Sequence, residues 1–252
     1  MSAFALAIRF ARRELRSGLS GFRIFLAALT LGVAAIAGIG SLGETFLTGL
    51  SEQGRTLLGG DVRLQRLYQP ATDAERAFLV QYGAVTESAA LRSMATNANQ
   101  PDRRTLIELK AVDGAYPLLG ETVLEPAMAL QTALACDAST CGAVAEEALA
   151  ARLGLRIGDA IRIGNADFTL RARIVSEPDR VAGGFALGPH VLVSRDGLRR
   201  AGLVTEGSLI NYAYRVAFAR DATPELFHAN LEAAFPKASW EFNDRSNALP
   251  QV

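Results

Sequence analysis

The sequence predicts an α+β protein, with one N-terminal transmembrane helix followed by an extracytoplasmic domain of two β-α-β units that carry an inserted β-rich subdomain. Three observations predict it. Residues Ile24 to Gly43 are 20 positions without a charge, bounded by Arg23 and Glu44. The remaining chain starts and ends on strand-helix-strand patterns, and the stretch between them alternates mainly as strands.

The head, residues 1–20, reads as an amphipathic helix on the cytoplasmic face, with Phe4, Ile8, Ala11 and Leu15 three and four residues apart. Arg9, Arg12, Arg13, Arg16 and Arg23 stand against one acid, Glu14, and such an excess marks the cytoplasmic side of a span. Two readings stay open for it: an interfacial helix that touches a cytoplasmic partner, or a plain topogenic charge cluster. Residues 22–44 are the span, since a helix of 20 apolar residues covers about 30 Å, the hydrocarbon thickness of a bilayer.

Gly38, Gly40 and Gly43 spell G-x-G-x-x-G inside the same run. A dinucleotide turn would need a preceding strand and an acid closing a second strand, whereas Asp61 precedes the apolar Val62 and Leu64 and so opens one. A cleaved signal peptide is the other rival, with Ala35-Ile36-Ala37 as the small-x-small site, but the apolar run continues six residues past it.

Residues 45–60 continue outward as a stalk helix that stops at Gly59-Gly60. Residues 61–100 then form the first β-α-β unit: DVRLQRL is a strand, TDAERAFLVQYG a helix with Thr72 and Glu75 in capping-box spacing, and AVTESAALRSMA a strand. Residues 205–245 form the second. There Ile210, Tyr212, Tyr214, Val216 and Phe218 alternate with Asn211, Ala213, Arg215 and Ala217, the period of a strand with one wet face. Thr223 and Pro224 start a helix whose apolar face is Leu226, Phe227, Leu231 and Phe235, and KASWEF closes the unit.

The insertion, residues 101–204, holds the strand TLIELKAV and a hairpin of AIRIG and DFTLRARIV turning at Gly164-Asn165-Ala166-Asp167. In the second hairpin strand Phe168, Leu170, Ala172 and Ile174 face a core, while Thr169, Arg171 and Arg173 face water. One short helix, AEEALAARLG, precedes the hairpin and packs through Leu149 and Leu153.

Composition narrows the function. The 26 basic and 26 acidic residues balance, yet past Arg23 the chain has 21 basic against 25 acidic side chains. A basic head beside a membrane suits anionic lipid, and the mildly acidic body argues against nucleic acid. No G-x-S-x-G, H-E-x-x-H or G-x-x-x-x-G-K-[ST] occurs, so the reading assigns no catalytic, cofactor-binding or metal-binding residue. Glu146 and Glu147 read as a solvated helix face, His190 as a loop or edge residue, and Arg103 and Arg104 as a solvated turn. Cys136 and Cys141 are the only cysteines. They stand as a possible local disulfide in an oxidising compartment, with two free thiols as the other reading.

The stretch EPDRVAGGFALGPHVLVS, with GAVAEEALAARLGLRIGDAIRIG and LKAVDGAYPLLGE upstream, resembles the extracytoplasmic domain of FtsX/MacB/LolCE-type ABC transporter permeases, most closely the YbbP-like group. The resemblance runs from ALAIRFARRELR to FPKASWEFNDR and makes Gly183, Gly184 and Gly188 backbone-turn residues. It implies the N-terminal portion of a permease subunit in a bacterial inner membrane, with its N-terminus cytoplasmic and its main domain periplasmic. A partner ATPase subunit would bind ATP, so this chain itself needs no cofactor. The periplasmic part, porter-like units around an inserted domain, would move in response and act on lipids, lipoproteins or hydrophobic compounds.

The family also implies that Phe4 to Arg16 lies near the ATPase. Expected partners are that ATPase, the remainder of the permease or a second permease copy, and membrane lipid. Because no second apolar stretch follows, the chain is expected to be an N-terminal fragment that ends before the next span. The alternative is a membrane-anchored periplasmic interaction or regulatory domain without transport.

Overall fold

The computed structural model describes residues 25–34, 55, 58–180, 188–219 and 222–244. The chain divides into two units, residues 1–50 and 51–252. In the first, residues 25–34 form helix α1 with Phe25, Leu26, Leu29, Leu31 and Val33 all exposed. Thr30 satisfies its hydroxyl within the helix by donating to the Leu26 carbonyl at 2.6 Å. No helix among the described residues is long and apolar enough to cross a membrane. Arg9, Arg12, Arg13, Arg16 and Arg23, the rest of the 22–44 segment and most of 45–60 lie outside the described residues.

The second unit begins at a helical stop. Gly60 donates to the Arg55 carbonyl at 3.1 Å, and Gly59 takes φ +75°, a backbone region that costs glycine little. Strand β1 (Val62–Leu67), helix α2 (Asp73–Tyr82) and strand β2 (Gly83–Asn97) follow. The start of α2 is fixed by its capping box: Glu75 N–H donates to Thr72 Oγ1 at 3.3 Å, and the Glu75 carboxylate accepts from Thr72 N–H at 2.6 Å. At the far end stand strand β9 (Asn211–Phe218), helix α6 (Pro224–Ala234) and strand β10 (Glu241–Asp244).

These pieces interleave in the order β10-β1-β9-β2, every neighbour antiparallel. Each β-α-β unit is therefore split by a strand of the other. The two helices share an aromatic layer over one face of this sheet: Phe78, Tyr82, Phe218, Phe227 and Phe235 meet with ring centroids 4.9–6.5 Å apart. Phe227 is fully buried, while Leu226, which the sequence reading places on the apolar face, is 54% exposed. The α6 apolar stripe is narrower than four residues because only the sheet side has a partner.

Between the two units lie strand β3 (Gln100–Val112), β4 (Val123–Glu125), helix α3 (Leu130–Leu134), β5 (Cys141–Ala145), helix α4 (Glu147–Leu153), β6 (Ala160–Ile163), β7 (Ala166–Ser176), β8 (His190–Ser194) and helix α5 (Arg195–Ala201). Among the described residues the insertion thus holds three short helices where the sequence reading gives one. Arg103 and Arg104 are exposed but sit within β3 rather than in a turn. Leu149 and Leu153 of α4 are fully buried, and so are Phe168 and Ala172 of β7.

Pairing runs β2-β3-β8-β5-β7-β6 and returns from β6 to β2, so the insertion closes into a six-stranded barrel. Two of its seams, β3 with β8 and β5 with β7, are parallel. Ile161, Ile163, Phe168, Val191 and Val193 belong to the main core, whereas Val144, Ala172 and Leu192 pack outward against Leu130, Ala133 and Leu134 of α3. Strand β2 belongs to both halves. Its first eight residues pair with β9, its last three pair with β6, and β3 accompanies it along its other edge.

Candidate functional site

The EPDR word lies directly after β7, and its two acids are almost wholly buried, with side chains 0% and 1% exposed for Glu177 and Asp179. They form the centre of a charged joint. Lys110, in the buried last part of β3, places Nζ 2.7 Å from Glu177 Oε1 and 2.9 Å from both oxygens of Asp179. Tyr116 donates its hydroxyl to the same two carboxylates at 2.6 Å. Arg215 of β9 reaches in from the terminal sheet, with NH2 2.5 Å from Asp179 Oδ2, and also donates to the Leu58 carbonyl and Ser88 Oγ.

His190, the first residue of β8, stands with Nδ1 2.7 Å from Glu177 Oε2. This corrects the expectation of a loop or edge residue: β8 is inserted between β3 and β5, so its first side chain is enclosed. Glu146 joins the same region by accepting from the His190 N–H at 3.0 Å and pairing with Arg180, while its neighbour Glu147 pairs with the Arg173 side chain nearer solvent. Only Glu147 keeps the role of a solvated helix residue. Gly188 is required here by space, since a Cβ would stand 2.5 Å from the Leu106 carbonyl oxygen. Gly183 and Gly184 lie outside the described residues.

The electrostatics follow from crowding. Burial alone would raise the Glu177 carboxyl, yet the His190 ring and the Lys110 ammonium outweigh it and hold it well below the ordinary value. Burial likewise opposes ionisation of Asp179, and Lys110 and Arg215 overcome that and the repulsion of Glu177. Tyr116 is pushed up, first by burial and then by the two carboxylates, so it stays a neutral donor. A buried cluster with every charge answered is a structural joint, since breaking one partner leaves an uncompensated ion.

On the opposite sheet face a second cluster ties helix to strand. Glu87 accepts from Tyr214 at 2.8 Å and from Arg76 at 3.2 Å, and Arg195 of α5 stands 3.2 Å away. The wet face expected for β9 is absent as well: Ala213 and Arg215 are buried, because the EPDR segment covers the side away from the helices. The signal for this was a lone arginine in YAYRVAF and a lone lysine in LIELKAV, each a charge inside an apolar strand that requires a partner.

The sulfur atoms of Cys136 and Cys141 are bonded to each other, closing the small loop before β5. Asp137 organises that loop by accepting from the Ser139 and Thr140 N–H groups, both at 2.8 Å. Among the described residues no group of three or more His, Cys, Asp or Glu side chains could hold a metal ion.

Fold and joint together define a mixed α/β module in which an interleaved β-α-β sheet is joined to a barrel by buried ions. Residues 24–234 match the MacB-like periplasmic core domain, and the chain belongs to that family. It is 27% identical over 190 residues to an uncharacterized ABC transporter permease, YbbP of Escherichia coli (strain K12), an alignment covering 75% of this chain and 22% of that relative. Its structure is similar to the periplasmic region of MacB from Actinobacillus actinomycetemcomitans at 12% identity, covering 76% of this chain and 92% of the other with a TM-score of 0.49. It is also similar to the extracellular domain of the noncanonic ABC-type transporter YknZ from Gram-positive bacteria, at 11% identity over 73% of this chain and all of that domain, with a TM-score of 0.48.

Proposed function

We propose that this chain is the extracytoplasmic lever of an ABC transporter permease, coupled through residues 22–44 as the membrane span and 45–60 as the stalk to ATP hydrolysis by a partner subunit. The observation that carries it is the continuous β2-β3 ladder. Register pairs from Ser88–Val112 to Thr96–Arg104 run from the terminal sheet into the barrel, and the Asp179–Arg215 contact fastens the two halves beside it. Such a body transmits displacement without deforming, because packed interiors have low compressibility. In this reading Arg9, Arg12, Arg13, Arg16 and Arg23 sit at the cytoplasmic surface of the inner membrane against anionic lipid, and the cargo is a lipid, a lipoprotein or a hydrophobic compound.

The test uses the parent permease with its ATPase in lipid vesicles. Spin labels at exposed Arg104 and Leu226, one in each half, are expected to keep a fixed mutual distance through the ATP cycle. Either label is expected to change its distance to a label at the membrane surface when nucleotide binds. No nucleotide-dependent movement would favour the anchored interaction domain, and a change within the body would overturn the lever. A phosphatase fused after Val252 is expected to be active outside the cytoplasm, and the unprocessed chain to resist alkaline carbonate extraction.

A further inference from the structure

A lysine carries a nucleophilic amine and an aspartate an electrophilic carboxyl carbon, and in water both stay ionised, solvated and inert toward each other. In the joint neither is solvated, for the Lys110 and Asp179 side chains are 9% and 1% exposed. Lys110 Nζ lies 2.9 Å from each oxygen of Asp179, across 69 residues of sequence. An atom at that range from both oxygens stands no more than about 3.3 Å from the carbon between them, the separation of a near-attack contact.

Three further groups supply what amide formation requires. Glu177 Oε1, 2.7 Å from Nζ, is a base for the amine, and His190 Nδ1, 2.7 Å from the other oxygen, fixes the orientation of that carboxylate. Tyr116 has one hydroxyl proton and two acceptors, Glu177 Oε1 and Asp179 Oδ1, each at 2.6 Å. It can therefore hand a proton from one carboxyl group to the other. Arg215 covers Asp179 Oδ2 at 2.5 Å, where negative charge develops when the carbon is attacked.

We propose that Lys110 and Asp179 condense after folding into an intramolecular isopeptide bond, Nζ to Cγ, with release of one water. The ionic joint is the reactant. The ammonium passes a proton to Glu177 and Tyr116 relays it to Asp179 Oδ1, which leaves a neutral amine beside a neutral carboxylic acid. The Nζ lone pair then forms the N–C bond at Cγ, while the electron pair of the C=O bond moves onto Oδ2, facing Arg215. A second Nζ proton follows the same route, the Cγ–Oδ1 bond breaks, Oδ1 departs as water and the double bond to Oδ2 re-forms. Two protons have moved from nitrogen to oxygen, and Glu177 and Tyr116 end as they began.

Burial favours this product, because condensation removes one enclosed cation and one enclosed anion and leaves Arg215 with Glu177. Lys110, Glu177 and Asp179 line a trough of about 570 Å³, ample room for the released water. The bond would clamp β3 to the segment after β7, two elements that no ladder joins directly. It goes beyond the lever reading and does not depend on it. The acid response of the ionised carboxyls belongs to the chain before condensation.

The experiment uses the full chain, purified folded, held for several days, then reduced and weighed intact. The mass is expected to fall by about 18 Da, one water, below that of the reduced sequence. Tryptic digestion should yield Ile174–Arg180 joined through Asp179 to a peptide left uncut at Lys110. Lys110→Arg keeps the cation without a reactive amine and should retain the full mass. Glu177→Gln keeps amine and acid but removes the base, and should slow condensation by about a hundredfold.

Full mass in the folded wild-type chain would overturn the proposal, and that measurement requires no variant to fold. A water loss that maps instead to a succinimide at Asp113-Gly114, or that persists in Lys110→Arg, would overturn it as well. Condensation at the wild-type rate in Glu177→Gln with a cooperative melting curve would do the same.

Discussion

The terminal sheet and the inserted barrel bury comparable apolar side chains by different means. Aromatic rings from two helices cover one face of the terminal sheet, and its strands pair only antiparallel. Apart from Phe168 the barrel core is mainly aliphatic; the barrel closes on itself, uses two parallel seams and buries both faces of β5. The difference teaches that the terminal half can be recognised from local pattern, whereas the barrel exists only once distant segments meet. Yet the two share one long hairpin and one main core, which predicts a single cooperative transition.

The largest expected effects test that unity. Phe227→Ala opens a cavity under the aromatic layer and Phe168→Ala opens one inside the barrel; both side chains are fully buried, and each loss should cost about 3–5 kcal/mol. Urea melts followed by near-ultraviolet and far-ultraviolet dichroism are expected to shift as one transition in both variants. Two separate transitions, each responding to only one of the substitutions, would show that the halves fold independently.

Next comes the joint. Lys110→Met leaves Glu177 and Asp179 facing each other with one cation fewer, a loss of about 3–5 kcal/mol. Both carboxyls are held below their ordinary values in the folded chain, so the unfolded chain binds more protons in acid. Their contribution is complete above about pH 5 and fades as pH falls through the folded values. Wild-type stability should therefore drop on acidification below that pH, and Asp179→Asn, already destabilised, should show a shallower drop. Parallel acid curves for the two proteins would remove the joint from the account.

Legibility of the fold followed the range of the interactions. Thr72 with Glu75, Thr223 with Pro224, and the alternation of β7 are short-range signals, and the structure uses each of them; β9 forms where its alternation predicts a strand, but the face expected to be wet is buried. The closing of β6 onto β2 and the parallel seams leave no local trace, because a strand buried on both faces, such as CGAVA, has no alternation to read. The joint was half legible: EPDR was visible as a distinctive word, but its partners Lys110, His190 and Arg215 come from three other strands. His190 in particular carries no local sign that β8 will be central.

A smaller effect separates the halves chemically. The Cys136–Cys141 bond closes a loop five residues long at the barrel end only. In the chain-entropy view a loop of this size contributes about 2 kcal/mol. Reducing agent, or the Cys136→Ser/Cys141→Ser pair, should lower stability by that amount without altering the acid response of the joint. Intact mass of protein exported to an oxidising compartment should show both thiols unreactive to alkylation, and cytoplasmic expression should show them reactive. Free thiols in exported material would contradict the bonded loop.

The smallest effect probes the terminal half at its most local signal. Thr72 caps α2 and receives the reciprocal bond of Glu75, whose carboxylate is lowered despite burial by the Thr72 N–H and by Arg66, the latter 2.9 Å away. Arg66 in turn lies 4.2 Å from the centre of the Trp240 ring, so the cap is tied to the strand end that precedes β10. Thr72→Ala should cost about 1 kcal/mol, typical of a lost N-cap, while Thr72→Ser should cost less. If the cap acts through this chain of contacts, Trp240 fluorescence should respond to Thr72→Ala in the folded state. A stability loss with unchanged fluorescence would confine the cap to α2 and leave the Arg66–Trp240 contact independent of it.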